Sequence, residues 1–208
     1  MEISSFYSGT VCMNRDAISR IFRDPPKLYT RRTCLRRMMK SDSYDMFEYA
    51  RREEVTRYLL WDPHESETYT YKYLTYLQSR YRAGDFYDWA VVMRDTYKMI
   101  GTCGFTRFSV ESNSAEVGYV LNPDFWGMGI APEVVSRVID FGFCELGLHR
   151  IEAKYMVGND RSRRVMEKVG MTFEGVNRES MHVKGKYVSV GVCAILRSEY
   201  NKMNRDFA

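Results

Sequence analysis

Chemistry in this 208-residue chain is concentrated between Glu116 and Ala131. Glu116 alternates with Gly118 and Val120 along one side of a strand-like run that Asn122-Pro123 ends. A carboxylate so placed can draw a proton from a nucleophile, directly or through water. It serves equally well as one half of a structural ion pair. The peptide N–H of Val120 or Leu121, where such a strand stops pairing regularly, can meet a developing oxyanion. Trp126-Gly127-Met128-Gly129-Ile130-Ala131 follows. Glycines there let the backbone turn sharply, and the free N–H groups of Gly127 to Ala131 at a helix start suit a phosphate or pyrophosphate. A tight connection with no ligand is the competing reading. Ser162 lies three and four residues before Val165 and Met166, so it shares their apolar side of a helix. Its hydroxyl can hydrogen-bond a departing anion or simply cap the helix.

Two phosphate motifs are excluded. No GxxxxGK[ST] loop occurs, which removes P-loop chemistry. Gly127-x-Gly129 begins like a dinucleotide fingerprint, but Pro132 stands at the third glycine position. Residues Asn122 to Trp126 also separate the turn from its strand.

Glu-x-Gly-Tyr followed by Trp126-Gly127-Met128-Gly129-Ile130-Ala131 resembles the acetyl-CoA motif of the GNAT-superfamily N-acetyltransferases. Trp126 matches the first position of that motif in the ribosomal-protein (RimJ/RimL, or Rim-type) branch. Asn159 to Gly175, NDRSRRVMEKVGMTFEG, resembles that branch's Asn-x-x-Ser … Glu-Lys-x-Gly-Phe segment, and RTCLRRM and the WDPH loop resemble its first strand and first helical excursion. The likeness runs from about Tyr29 to Tyr200. It implies a GNAT fold: a mixed, mostly antiparallel sheet of about seven strands with helices on both faces. It implies acetyl-CoA as co-substrate, with Val120, Leu121, Trp126, Gly127, Met128, Gly129, Ile130, Ala131, Asn159 and Ser162 on the cofactor side. Glu116 matches a glutamate used as base in some members. Glu179 is a second candidate, although Met181 stands nearer the matching position. A tyrosine that protonates the thiolate in many members is replaced by Met166; Ser162, one turn earlier, resembles the Rim-type serine proposed to serve the departing thiolate, and, serine being a poor acid, it does so by a hydrogen bond to sulfur. Tyr58, Trp61 and His64 fall where the family walls its acceptor side. The alternative is core packing for Tyr58 and Trp61 and a surface loop for His64. Met128 and Pro132 depart from the motif, the first lacking a frequent basic group and the second an N–H.

These residues need a sheet and two helices to hold them. Thr33–Met38, DWAVVM, KMIGTCGFTRF, AEVGYVL, HRIEAKYM, Met171–Met181 and Tyr187–Leu196 suit strands. Ala131 to about Glu145 has helical spacing with Pro132 in its first turn, and Asn159 or Asp160 caps a second helix that Gly170 stops. Upstream, Ile18, Ile21 and Phe22 share a helical face, Ser41 or Asp42 caps a helix to about Arg52, Val55–Leu60 suits a short helix, and a longer one ends near Arg82. Residues 1–28 read as a basic N-terminal extension, 29–200 as the domain and 201–208 as a C-terminal tail.

Composition fits one soluble α/β domain, at 45% hydrophobic and 28% charged residues. No apolar run approaches membrane-spanning length, and the N-terminus has no signal-like core. Five dispersed cysteines without C-x-x-C argue against disulfides and zinc and for a reducing, cytoplasmic setting. No metal is expected. The net charge of +4 is uneven: nine Lys/Arg face three Asp/Glu in residues 1–40, against twenty-two and twenty-four beyond. That basic segment, with Phe6, Tyr7, Phe22 and Tyr29 interleaved, either contacts ribosome or RNA or is a solvated face. Monomer and homodimer remain equally open.

The resemblance leaves the acceptor to be argued. An α-amine titrates near 8 and lysine near 10.4, so deprotonating lysine costs about 3.4 kcal/mol more at neutral pH. One candidate base and no tyrosine acid suit an α-amine, as at the N-terminus of a ribosomal protein or other peptide. A small-molecule amine (polyamine, amino-acid analogue or drug) and a non-catalytic acyl-CoA sensor are the alternatives.

Overall fold

The computed structural model describes residues 14–205. Phe6, Tyr7 and Cys12 lie outside that range. Fifteen elements follow one another: α1 (Arg15–Arg23), β1 (Leu28–Tyr29), β2 (Thr33–Arg36), α2 (Ser43–Ala50), α3 (Glu53–Thr56), α4 (Glu67–Ala83), β3 (Tyr87–Met93), β4 (Met99–Ser109), β5 (Ser114–Leu121), α5 (Ile130–Cys144), β6 (Arg150–Met156), α6 (Asp160–Lys168), β7 (Thr172–Val183), β8 (Lys186–Leu196) and α7 (Arg197–Arg205).

The strands form one sheet in the order β1-β2-β3-β4-β5-β6-β8-β7, antiparallel except for β5 and β6. Eight strands stand where seven are expected. The extra one is the two-residue β1, too short to show periodicity. Alternation along β3 sorts the core: Trp89 and Val91 join one cluster and Ala90 and Val92 the other. α2 and α4 cover the second face through Met46, Tyr49, Leu74, Leu77 and Tyr81. α5 covers the first through Val134, Val135, Val138 and Phe141. α1 belongs to that same core, where Phe22 meets Tyr87 and Trp89 edge-on at 5.0 and 5.2 Å.

Some local expectations shift. Asp42 precedes α2 but does not cap it, because its carboxylate takes Arg36 at 2.7 Å and the Met39 N–H at 2.7 Å. The helix expected over Val55–Leu60 is the single turn Glu53–Thr56. α7 runs across the point where a tail is expected and places Tyr200 in the core.

One feature of the sheet creates the site. β5 pairs with β6 only from Ser114 to Glu116, opposite Arg150 to Glu152. Past Glu116 the strands diverge, and β5 keeps β4 alone as partner as far as Leu121. Alternate peptide groups of β5 therefore face an open wedge.

Candidate active site

Two cavities meet in that wedge. The larger, about 1020 Å³, is lined by Leu121, Trp126, Gly127, Gly129, Ile130, Ala131, Arg161 and Arg164 among others. The smaller, about 410 Å³, is lined by Trp61, His64, Tyr73, Asp88, Glu116 and Lys154 among others. Tyr58, Tyr119, Val120, Asn159 and Ser162 line both.

The turn at the mouth of the larger cavity is held open by its glycines. Gly127 and Gly129 have φ of 77° and 72°, in the left-handed region where a Cβ is penalised. The N–H groups of Gly127 to Ala131 donate to no protein acceptor among the described residues. Together with the start of α5 they form a nest for anionic oxygens, and the cavity is large enough for a nucleotide-sized ligand. A CoA pyrophosphate fits this donor set. Met128 does not line the cavity: the residue is 56% exposed, and its carbonyl accepts from Arg32 Nη1 at 2.8 Å. Arg32 also pairs with Glu133 at 2.7 Å, bracing the turn from behind. Burial opposes the Glu133 charge, but hydrogen bonds from Thr30 and Arg32 hold its carboxyl below the usual range. Arg161 lies over the Trp126 ring at 4.6 Å, and Arg164 lines the same rim. Arg163 points elsewhere, to Glu167 at 2.8 Å.

At the junction, the Asn159 side chain accepts from the Ser162 N–H at 3.3 Å, capping α6. Ser162 Oγ lies 2.8 Å from the Tyr119 hydroxyl, which is 2.9 Å from the Ser162 carbonyl. Burial pushes the Tyr119 phenol well above its ordinary value, so it stays protonated. Sequence reasoning passed over Tyr119, because an aromatic on a half-buried strand looks like ordinary packing.

Glu116 Oε2 accepts from Lys154 Nζ at 2.6 Å, and Lys154 also reaches Glu152 at 3.1 Å. Burial works against the Lys154 charge, but the two glutamates more than offset it and raise its pKa. Glu116 Oε1 has no partner among the described residues. Glu179 lines neither cavity; it sits at φ 47° in an irregular stretch of β7, while Met181 lines the smaller cavity.

His64 is 8% exposed, not a surface-loop residue. Its Nδ1 is 2.8 Å from Thr70 Oγ1, its ring is 5.2 Å from Trp61, and burial lowers its pKa. Asp88 in β3 is the acid that the sequence did not reveal. It lines the smaller cavity, with its Oδ1 accepting the Trp89 N–H at 2.9 Å. Burial, partly offset by hydrogen bonds from Thr102 and Trp89, pushes it up to about 7. Gly104 was the available signal, since glycine inside a strand marks a close approach. A Cβ there would lie 2.8 Å from Asp88 Oδ1. No group of three or more potential metal ligands occurs among the described residues, nor any helix long and apolar enough to cross a membrane.

Comparison with known proteins agrees with this geometry. The family model described as Acetyltransferase (GNAT) domain matches residues 32–172. The uncharacterized N-acetyltransferase p20 of Bacillus licheniformis is 32% identical over 173 residues, 83% of this chain and 97% of that protein. A GNAT-family acetyltransferase from Bacillus anthracis superposes with TM-score 0.75 at 24% identity, covering 83% of this chain and 99% of that one. A ribosomal L7/L12 alpha-N-protein acetyltransferase solved with coenzyme A gives TM-score 0.70 at 20% identity, over 82% of this chain and 98% of that one.

Proposed function

Given that the chain belongs to the GNAT acetyltransferase family, we propose that it moves the acetyl group of acetyl-CoA onto a primary amine, with the N-terminal α-amine of a ribosomal protein or other peptide as the first acceptor to test. The observation that carries the transfer is the meeting of a nest-lined cavity with a carboxylate-bearing one at Tyr119, Val120 and Ser162. Acetyl-CoA supplies an activated thioester carbonyl. The residues do the rest.

In this reading Gly127, Gly129, Ile130 and Ala131 hold the pyrophosphate through their amides, with Leu121, Trp126 and Asn159 along the cavity wall. Met128 acts through its backbone, which Arg32 fixes. The amide of Val120 or Leu121, on the stretch of β5 that β6 leaves unpaired, receives the oxyanion. Glu116 takes the amine proton through water at its Oε1. Ser162 offers its hydroxyl to the thiolate as a hydrogen-bond donor, and the Tyr119 hydroxyl, 2.8 Å from Ser162 Oγ and 2.9 Å from its carbonyl, positions it. Tyr58, Trp61 and His64 wall the acceptor.

Support for an α-amine comes from the Rim-type motif, from the likeness in fold to a ribosomal acetyltransferase and from the cost of deprotonating lysine. Asp88, half-buried in the smaller cavity with no ion pair among the described residues, favours a second acceptor class, a small amine carrying another positive charge. Incubation with acetyl-CoA and a pool of peptides, ribosomal proteins, polyamines and lysine derivatives, read by mass spectrometry, tests both. Acetylated α-amines are expected. CoA binding with no acetylated product in the pool would overturn transfer in favour of a sensor.

A further inference from the structure

Five residues, Asn122 to Trp126, separate the end of β5 from the glycine turn, a spacer with no part in the transfer steps. Hydrogen bonds close it into a ring. Asn122 is 0% exposed; its Nδ2 donates to Glu48 Oε1 at 3.0 Å, and its Oδ1 accepts the Asp124 N–H at 3.1 Å. The N–H groups of Phe125 and Trp126 turn back onto the Asn122 and Pro123 carbonyls at 2.9 and 3.0 Å. The arc then ends where it began, because Trp126 Nε1 donates to the Leu121 carbonyl at 2.8 Å.

That last bond governs what β5 shows to the wedge. A trans peptide points its C=O and its N–H in opposite directions. In the Leu121–Asn122 peptide the N–H donates to the Ile100 carbonyl of β4 at 2.7 Å, so the Leu121 carbonyl faces away from β4, into the wedge. In the Val120–Leu121 peptide the carbonyl faces β4, since a Cβ on Gly101, opposite Leu121, would lie 2.1 Å from the Val120 oxygen. The Leu121 N–H therefore faces the wedge as well, on the same side as its own carbonyl. Of the two amides that could meet an oxyanion, Leu121 is the one aimed at it. A bare carbonyl beside that donor would repel the charge that the N–H attracts. The indole removes it from play. Trp126 is also the first residue of the nest turn, and its ring packs against both core clusters. Tying it to Leu121 fixes the span from the nest to the oxyanion donor.

We propose that Trp126 is a positioning residue for acetyl transfer: its indole N–H occupies the Leu121 carbonyl, so that the Leu121 N–H faces the oxyanion with no acceptor beside it, at a span from the nest that the indole sets. The proposal rests on the acetyl-transfer reading. Trp126 acts here through Leu121 and not on the reacting atoms.

The test compares two variants of the full chain. Trp126→Phe keeps a ring against the cores and beneath Arg161 but has no N–H to donate. Trp126→His packs less well, yet its Nε2–H can take the place of the indole N–H. With whichever amine of the mixed pool the parent acetylates, Trp126→Phe is expected to lower kcat about 10-fold, the worth of one hydrogen bond, with little change in the KM for acetyl-CoA or the Kd of CoA. Trp126→His should recover most of that loss. A ring that only packs gives the reverse order, because phenylalanine suits a buried site better than histidine. The Leu121 amide resonance in solution NMR is a second readout that needs no acceptor: acetyl-CoA should move it downfield where CoA does not, and Trp126→Phe should shrink the response. That shift in a chain that acetylates nothing supports the positioning and shows that transfer is what fails. Unchanged kcat in Trp126→Phe, a kcat loss matched by an equal loss of CoA affinity, a Trp126→Phe chain more active than a folded Trp126→His chain, or a Leu121 amide indifferent to acetyl-CoA overturns the proposal.

Discussion

Replacing Asp88 by asparagine removes a charge while keeping size, shape and the acceptor for the Trp89 N–H. The folded chain holds this carboxyl near 7, against an ordinary value of 3.8. Between those values the folded state keeps a proton that the unfolded state has lost. The unfolded state binds fewer protons across that window, so the contribution of Asp88 to stability falls as pH rises through it. Each pH step costs about 1.4 kcal/mol, which would sum to about 4 kcal/mol for a fully desolvated group. Exposure to the cavity and relaxation reduce this, and about 2 kcal/mol is the expected penalty above pH 7. Other titratable groups lining the cavity do not blur the window from above: burial pushes Tyr73 to about 12 and Tyr49 higher still. His64, Glu116 and Lys154 also face it and are present in both proteins.

Urea unfolding at pH 4 and pH 8 reads the difference. Asp88→Asn should nearly match the parent at pH 4, close to the ordinary value of 3.8, where little of the penalty has accrued. At pH 8 it should be more stable by about 2 kcal/mol, or about 4–8 °C in Tm for a chain of this size. Equal effects at both pH values, or a loss of stability at pH 8, would show that this carboxylate is neither desolvated nor short of a counter-charge.

Glu116→Gln should lower kcat by about 100-fold or more and leave the urea midpoint nearly unchanged, because its partner Lys154 keeps Glu152 at 3.1 Å; a stability loss with full turnover would make Glu116 structural. Ser162→Ala and Tyr119→Phe should each reduce kcat by about 10-fold with little change in acetyl-CoA affinity, and the double variant should be no worse than the more damaging single one, since Tyr119 acts only by positioning Ser162. Arg32→Ala should weaken CoA binding in calorimetry by about 1 kcal/mol without altering the acceptor KM, because it releases the Met128 carbonyl and Glu133 behind the turn.

What could be read in the sequence is what depends on neighbours along the chain. Alternation found seven strands, and Pro132, Asn159 and Gly170 marked helix ends close to where they fall. The turn at Gly127–Gly129 was legible because glycine at positive φ is a local requirement. Groups acting across strands were not. Nothing in DWAVVM separates Asp88 from an ordinary strand-entry acid, since its isolation depends on which cations the fold keeps away. The Lys154 partner of Glu116 stands 38 residues away, on a strand paired with β5 for only three positions. Tyr49 looks like core in any helix pattern, and its unpartnered hydroxyl exists only once α2 is laid on the sheet.

The place where β5 and β6 part ties these observations together. Glu116 stands at the last paired position, opposite Glu152. Lys154, one pleat further along β6, reaches back to both carboxylates. The ion-paired trio therefore bridges the strands at the point of divergence, and beyond it each strand offers an open edge to the wedge. A carboxylate here can fix where the wedge begins and also reach a proton within it, because only one of its oxygens is committed to Lys154. The same face then runs bare over Gly118 and Gly104 to Asp88. Two carboxylates on one strip of sheet thus have different environments: Glu116 has a cation beside it and Asp88 has none. In the proposed reaction that difference suits Glu116, with one oxygen held by Lys154 and the other free, to accept a proton at the junction.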